Sequence, residues 1–240
     1  MKNIFRWGIY LLGMVTLALG ITLNTKTGLG VSPIITVAYS VATISDGNLG
    51  NIVFIWYCIL VLIQIILHGI KKQGKERFRV IILDLCQIPL SIVFTRFMNV
   101  FADRIPQLET DCAGTFAGSM TGRILFLLLA ISLTGIGAAM TLDMRIIPNP
   151  GDGIVQAVSD FSGKKVGFVK NCIDVVCVLI TCLIGYLGAG RVTGIGIGTL
   201  LAVLCTGRVI ALFQFLFQKK LESCCAVTKT KKNIKNVLTL

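Results

Sequence analysis

Six long apolar segments constrain what this chain can fold into. A helix needs about 20 mostly apolar residues to cross the hydrocarbon layer of a membrane. Six segments approach that length, at residues 4–23, 52–70, 80–101, 124–142, 166–187 and 192–217. Of the 240 residues 14% are charged, against about 25% in soluble domains. Because a backbone in lipid must satisfy its own hydrogen bonds, these segments predict an all-α integral membrane protein with about six transmembrane helices.

Two further apolar pieces, at residues 31–44 and 154–161, are too short to cross. Lysine and arginine cluster at the N-terminus, in the loop 71–79 and in the tail 219–240, so the positive-inside bias places all three in the cytoplasm. The loop 102–122, with more acids than bases, is then external. Eight crossings would put the loop 71–79 opposite the N-terminus. We therefore expect the short pieces to be re-entrant half-helices, with both termini cytoplasmic.

An internal repeat becomes visible when the sequence is compared with itself at a shift of 117 positions. The aligned pairs include residues that interrupt or cap helices: Arg6 with Arg123, Gly20 with Gly137, Pro33 with Pro150, Ser45 with Ser162 and Gly50 with Gly167. Each half then has three spans and one re-entrant piece. Three is an odd number, so the second half is expected to be inverted. The predicted parts are a first repeat (1–101), an external loop (102–122), a second repeat (123–218) and a basic cytoplasmic tail (219–240).

Helix-breaking residues precede the second short piece: Pro148, Pro150, Gly151 and Gly153. A helix that begins here exposes unpaired N–H groups near mid-membrane. Asp152 either caps that helix in a purely structural turn, or helps to hold a cation or a substrate amine. The matching positions of the first half carry no charge: Ser32, Pro33 and Thr36.

Polar side chains recur at spacings of three and four in two predicted spans, which places them on one helical face. In the span 166–187 they are Lys170, Asp174, Cys177 and Thr181, with Asn171 beside them. In the span 80–101 they are Asp84, Gln87, Ser91 and Thr95. Ionisable groups at membrane depth usually line a cavity or pair with one another. Lys170 and Asp174 are thus either binding residues or a structural pair, and Asp84 either faces a cavity or is an interfacial acid. His68, the only histidine, lies at the cytoplasmic end of its span and is expected to be an interfacial residue rather than part of a proton relay.

Small residues recur every four positions at the start of the last predicted span: Gly190, Gly194, Gly198 and Ala202. No strand surrounds them, which argues against a dinucleotide-binding loop. The spacing predicts a face on which two membrane helices pack closely.

The motifs at these positions resemble the YczE/YyaS/YitT group of bacterial membrane proteins. The runs that carry the resemblance lie at residues 146–157, 163–174, 194–200 and 207–208, and in the first half at 23–24 and 28–33. The similarity spans residues 5–217 and leaves out the tail. It implies a bacterial cytoplasmic-membrane protein of a family whose activity is largely undefined, so it supports location and fold more than function.

The leading hypothesis is a small-solute transporter or permease with a site near mid-membrane. Its candidate binding residues are Asn24, Ser32, Thr36, Asp84, Gln87, Asn149, Asp152, Lys170, Asn171 and Asp174. The alternative is a non-transporting scaffold, sensor or accessory protein that uses the glycine stripe and the basic tail as partner surfaces.

The sequence has no nucleophile–base constellation, so an enzyme is not expected. Cysteine spacing indicates no metal or cofactor, and no basic patch alternates with aromatics as nucleic-acid binding would require. The expected partners are the lipid bilayer, anionic lipids at the basic tail and an unidentified small solute; a homo-oligomer stays open.

Overall fold

The computed structural model describes residues 2–225, and in this range the chain is helical and forms no strand. The helices are α1 (Lys2–Lys26), α2 (Pro33–Ser45), α3 (Leu49–Lys71), α4 (Gly74–Leu85), α5 (Gln87–Arg104), α6 (Met120–Met144), α7 (Pro150–Ser162), α8 (Val166–Ala189) and α9 (Ile197–Cys225). The first residues of the predicted basic tail belong to α9. The rest of that tail, residues 226–240, and the predicted lipid contact there lie outside the described residues.

Six helical stretches are long and apolar enough to cross a membrane: Ile4–Lys26, Leu49–Lys71, Gly74–Arg104, Met120–Met144, Val166–Ala189 and Ile197–Phe217. Each overlaps one predicted span, so the predicted all-α membrane protein with six transmembrane helices is confirmed. Large apolar side chains are exposed along these helices, as a lipid-facing surface requires, among them Leu62, Ile66, Leu179, Leu183, Leu204 and Phe215.

The third span is interrupted once, at Cys86, where α4 ends and α5 begins. Pro89 stands three residues later and has no N–H for the carbonyl of Leu85. The interruption therefore has a local cause in the sequence.

The short helices α2 and α7 have 13 residues each, or about 20 Å, which is less than the roughly 30 Å of hydrocarbon. The carbonyl of Pro150, the first residue of α7, accepts from Gln64 Nε2 at 3.3 Å. The carbonyl of Phe161, in its last turn, accepts from Lys71 Nζ at 3.0 Å. α7 therefore begins inside the helical bundle and ends level with the end of α3.

α2 packs along α8 as α7 packs along α3. Thr181 Oγ1 donates to Thr36 Oγ1 at 2.8 Å in the first turn of α2. Further along, Ser40 Oγ and Thr193 Oγ1 lie 3.0 Å apart. Both short helices thus lie against a long helix of the other half of the chain.

α1 and α6 cross in antiparallel orientation and form the most extensive helix pair. A Cβ atom at Gly20 would lie 2.5 Å from the backbone nitrogen of Thr134. A Cβ atom at Gly137 would collide with the backbone nitrogen of Leu17. Glycine at both positions lets the two backbones approach directly.

Two arginines satisfy carbonyls at the ends of these helices. Arg6 Nε donates to Met144 O at 2.8 Å, and Arg123 Nε donates to Thr27 O at 2.7 Å. The final carbonyls of a helix have no partner within the helix, and a cation is favourable there.

The two halves differ in the contacts of α5 and α9. α9 also packs on α1 and α2, whereas α5 makes no comparable contact with α6 or α7. In the first half α3 packs against α5, and the Tyr57 ring stacks on Phe94 with centroids 5.9 Å apart. In the second half α9 packs against α6 but makes no comparable contact with α8.

The prediction that Gly190, Gly194, Gly198 and Ala202 lie on one face of a helix is wrong. α8 ends at Gly190, which has a left-handed φ of +64°, and α9 begins only at Ile197. Gly190 and Gly194 therefore lie in the connection and cannot share a helical face with Gly198 and Ala202.

Two of these glycines still allow close packing. Gly194, at φ +82°, leaves no room for a Cβ beside the Tyr39 ring. Gly198, in the first turn of α9, lies against the carbonyl of Leu29, which accepts its N–H at 2.7 Å. Ala202 is buried.

Candidate functional site

The candidate site is built around the N-terminal end of α7. Asn149 is the N-cap, and its side-chain oxygen accepts from the Gly151 N–H at 3.3 Å. Pro150 takes the first helical position, where a missing N–H leaves no bond unmade. The Tyr57 hydroxyl of α3 contacts the Asn149 amide. The capping role that the sequence offers to Asp152 thus falls to Asn149, because Asp152 stands two residues inside the helix.

An ion pair on α8 lies in the electrostatic range of Asp152, at the start of α7. Lys170 Nζ lies 3.2 Å from Asp174 Oδ2 on α8, and Asp174 is 4% exposed. Asp152 interacts electrostatically with both of them. Two carboxylates and one ammonium group sum to −1 when all are ionised. Asp174 is buried whereas the Lys170 side chain is 40% exposed, and an excess carboxylate beside a buried acid favours an additional cation or amine.

A buried hydrogen-bond chain connects α3 with the α4–α5 junction. His68 Nδ1 and Asp84 Oδ2 are 2.7 Å apart. Gln87 Nε2 donates to Asp84 Oδ1 at 3.3 Å and to Gln64 Oε1 at 2.9 Å. Gln64 Nε2 donates to Gln87 Oε1 at 3.4 Å and to the Pro150 carbonyl. The chain therefore runs from the end of α3 to the first residue of α7.

The matching end of α2 carries only neutral groups. Thr36 Oγ1 donates to Pro33 O at 2.6 Å and accepts from Thr181. Ser32 is the N-cap, but its side chain makes no capping bond. The two short helices therefore begin in chemically different surroundings.

Asn24 of α1 is buried at 2% exposure, and its Oδ1 has no hydrogen-bond partner among the described residues. Leaving a buried amide oxygen unpaired is unfavourable by about 1–3 kcal/mol. This oxygen would be satisfied by a donor from a ligand or from water.

A cleft lies between the start of α7 and the first half of the chain. Its polar lining consists of neutral groups: Tyr10, Tyr57, Gln87, Ser91, Thr141 and Asn149. Apolar residues, including Met14, Leu90 and Phe94, complete the wall. Its volume of about 20 Å³ has room for about one water molecule. The cleft is therefore too small for a larger solute in this conformation.

The structure brings most of the predicted site residues together in two groups. Asn149, Asp152, Lys170 and Asp174 gather at α7 and α8, and Asp84 and Gln87 join the buried chain. Asn171 does not join them, because it is exposed on α8. Successive helical residues point about 100° apart, so Asn171 turns away from the face that Lys170 and Asp174 share.

Sequence reasoning misses Tyr57, Gln64 and the partner of His68. His68 lies in the last turn of α3, where it is 8% exposed and pairs with Asp84. Its position at the membrane interface stays a prediction. The available signal was the spacing of seven and four between Tyr57, Gln64 and His68, which puts three polar groups on one face of an apolar helix. Asp143 on α6 was also missed; its Oδ1 accepts from Gln214 Nε2 of α9 at 2.7 Å.

The chain is 22% identical over 210 residues to the uncharacterized protein YyaS of Bacillus subtilis (strain 168), covering 88% of this chain and 92% of that one. No solved structure matches the chain. The similarity to YyaS agrees with the family resemblance inferred from the motifs. A family model described as a family of unknown function, DUF6198, matches residues 4–215, so the chain belongs to that family.

Proposed function

We propose that this protein is a small-solute transporter or permease built from two inverted repeats, with its site where α2 and α7 begin inside the bundle. It carries out no covalent chemistry on the solute. The observation that carries the proposal is a set of contacts that recur, with partners exchanged, at a shift of 117 residues.

Three such pairs of contacts support the repeat. The contact of Arg6 with Met144 recurs as that of Arg123 with Thr27, since each residue is replaced by its aligned counterpart. Gly20 and Leu17 align with Gly137 and Thr134, and the contact of Gly20 with Thr134 recurs as that of Gly137 with Leu17. Thr36 and Gln64 align with Gly153 and Thr181, and the contact of Thr36 with Thr181 recurs as that of Gly153 with Gln64. A two-fold axis generates contacts of this reciprocal kind. Because α1 and α6 are antiparallel, that axis lies across the helices, as in transporters with inverted repeats.

The charged cluster supports a solute site. Asp152, Lys170 and Asp174 are ionisable groups within or beside membrane-spanning helices, where charges commonly mark a substrate or ion path. The half-helix α7 begins next to them, and broken helices near the bilayer midplane form the sites of many transporters. The excess of negative charge favours a solute that carries a cationic or amine group.

The proposed location is the cytoplasmic membrane of a bacterium, with both termini in the cytoplasm. The lysine and arginine distribution supports this orientation. In a chain with the other cysteines replaced, Cys112 should react with an impermeant thiol reagent in intact cells, whereas a cysteine introduced by Lys165→Cys should not. Labelling at both positions would refute the orientation.

A thermal-shift screen of metabolites and inorganic ions on the purified protein tests the solute site. We expect at least one amine-bearing or cationic compound to raise the unfolding temperature of the wild-type protein. Asp152→Asn should reduce that shift by more than half, because the compound loses its carboxylate partner.

Asp160→Asn is the matched control, since Asp160 is an exposed acid on the same helix. It should leave the ligand-induced shift unchanged. Equal shifts in the wild-type protein and in Asp152→Asn would remove Asp152 from the site, and the absence of any stabilising compound would count against a solute transporter.

One observation favours a non-transporting scaffold or accessory protein as the second candidate. The last span exposes most of its apolar surface and packs mainly on α6. A membrane partner could bind there. Co-purification of a stoichiometric partner that is lost when surface residues of α9 are changed would favour this function.

A further inference from the structure

We propose that Asp84, oriented by His68, is a proton-binding site that controls whether the start of α7 is held against α3. This inference rests on the proposed transport function and names the proton as its coupling ion. It arises from the buried chain of four side chains that ends at the Pro150 carbonyl, which no other part of the proposed mechanism uses.

The hydrogen bonds of this chain have one direction. The Pro150 carbonyl can only accept, so Gln64 must direct its Nε2 toward α7. Gln64 Oε1 then faces Gln87 Nε2, which also donates to Asp84 Oδ1. An ionised Asp84 accepts at both oxygens, from Gln87 and from the Nδ1–H of His68. The Asp84 carboxylate at one end and the Pro150 carbonyl at the other therefore require the same orientation of the Gln64 and Gln87 side-chain amides.

A proton on Asp84 would reverse this direction. As long as His68 carries its proton on Nδ1 and donates it to Oδ2, the proton of a neutral Asp84 lies on Oδ1, which then becomes a donor. Gln87 must turn its carbonyl oxygen toward that proton, and Gln64 must turn in response. Gln64 then presents Oε1 to the Pro150 carbonyl, and two acceptors cannot bond. Proton binding therefore breaks the Gln64–Pro150 hydrogen bond, one of the contacts between α3 and the start of α7.

The other charged groups near this pair are engaged or lie on the surface. On α3, Lys71 binds the Phe161 carbonyl of α7, and Lys72 pairs with Glu76 at 2.7 Å. On α4, the Arg77 guanidinium lies beside Gly69. The remaining titratable groups of the packed helices are Tyr39 on α2, Tyr57 and Cys58 on α3, Lys75 and Arg79 on α4, Cys86 between α4 and α5, Arg96, Asp103 and Arg104 on α5, and Asp152 and Asp160 on α7.

Coupling follows from the position of α7. Its first residues carry Asn149 and Asp152, the proposed solute ligands, so release of this end changes the site. α2 provides an internal comparison, since its start is held by Thr181 and has no such chain. A proton should therefore loosen α7 and leave α2 unaffected.

Hydrogen–deuterium exchange of the backbone amides tests this inference without any solute. Asp84→Asn places an NH₂ donor where the protonated acid would have its O–H. In this variant the amides of the first turn of α7 should exchange about five-fold faster at neutral pH, the factor expected for loss of one hydrogen bond. The amides of α2 should exchange as in the wild-type protein.

Two further comparisons guard against a variant that fails to fold. In the unmodified protein, lowering the pH from about 8 to about 5 should speed exchange at the start of α7 relative to α2 in the same molecule. In the variant Gln64→Met, whose side chain cannot donate to the Pro150 carbonyl, the amides of the first turn of α7 should exchange faster by a similar factor. Adding Asp84→Asn to this variant should then change their exchange no further. Asp160→Asn should leave exchange unchanged.

Equal exchange at α7 in the wild-type protein and in Asp84→Asn would overturn the inference, as would a pH effect that is the same at α2 and α7. These outcomes are separate from those of the solute screen. If a solute binds through Asp152 while α7 does not respond to Asp84→Asn, the transport proposal stands and the proton site is refuted. If α7 responds and no solute binds, the proton-controlled contact stands without the transport function.

Discussion

At the scale of single residues, the N-cap residues of the two short helices α2 and α7 differ. Asn149 accepts a backbone N–H of α7, whereas the Ser32 side chain makes no such bond in α2. Asn149→Ala should lower the stability of the protein by about 1 kcal/mol, the typical cost of losing a cap. Ser32→Ala, the matched control, should change it by less than half of that.

Thermal unfolding of the purified variants in one detergent measures both effects. A drop in Tm for Asn149→Ala with none for Ser32→Ala fits the structure. Equal drops would mean that the two helix starts are held in the same way and that the capping bond at Asn149 contributes little.

Residue-level prediction succeeded where a side chain interrupts a pattern. Pro150 stands out in an apolar chain because proline breaks or begins a helix whatever the tertiary structure, although the cap expected at Asp152 is Asn149. Gln64 and His68 did not stand out, since their role depends on Asp84 and Gln87, which reach them only when α4 and α5 fold back along α3. Sequence spacing puts groups on one face of a helix but does not say which helix that face meets.

At the scale of helices, glycine determines how closely α1 and α6 approach. Gly20→Ala should destabilise the protein by about 1–3 kcal/mol, because the new methyl group meets the backbone of Thr134. Gly137→Ala should act similarly through Leu17. Gly8→Ala is the control on α1, since nothing lies within 4 Å of its Cβ position.

Chemical or thermal unfolding of these three variants distinguishes close packing from helix propensity. Alanine favours helix over glycine by about 1 kcal/mol, so Gly8→Ala should be neutral or stabilising. Stabilisation by all three substitutions would contradict the close crossing of α1 and α6.

The helices were predictable from sequence because length and hydropathy determine membrane spans directly. The start of the last span was not, because the residues before Ile197 are apolar enough to continue a helix while Gly190 and Gly194 adopt left-handed backbone angles instead. Hydropathy does not register backbone conformation, so the predicted glycine stripe joined residues that belong to two different elements.

At the scale of the whole molecule, the two halves of the chain share several helix contacts and differ most in those of α5 and α9. α3 packs on α5, whereas α8 is not packed on α9 in the same way. If the repeats exchange conformations during transport, a second state should bring α8 onto α9 and release α3 from α5. This exchange would open the site alternately to the two sides, as alternating access requires.

Disulfide cross-linking measures this second state directly. Gly50 and Asn99 are in contact in the present structure, with the Gly50 N–H donating to Asn99 Oδ1 at 3.1 Å. A shift of 117 residues converts this pair into Gly167 and Leu216. The nine native cysteines are replaced, and cysteines are introduced by Gly167→Cys and Leu216→Cys. A disulfide between these two positions shows that α8 and α9 have come into contact. Ser40→Cys with Thr193→Cys is the positive control, because those side chains already lie 3.0 Å apart.

If the two halves exchange conformations, both cysteine pairs should form disulfides in membranes under mild oxidation, because the chain then visits a state in which α8 packs on α9. Cross-linking of the control pair alone, with none between residues 167 and 216 in the presence or absence of solute, would contradict this exchange.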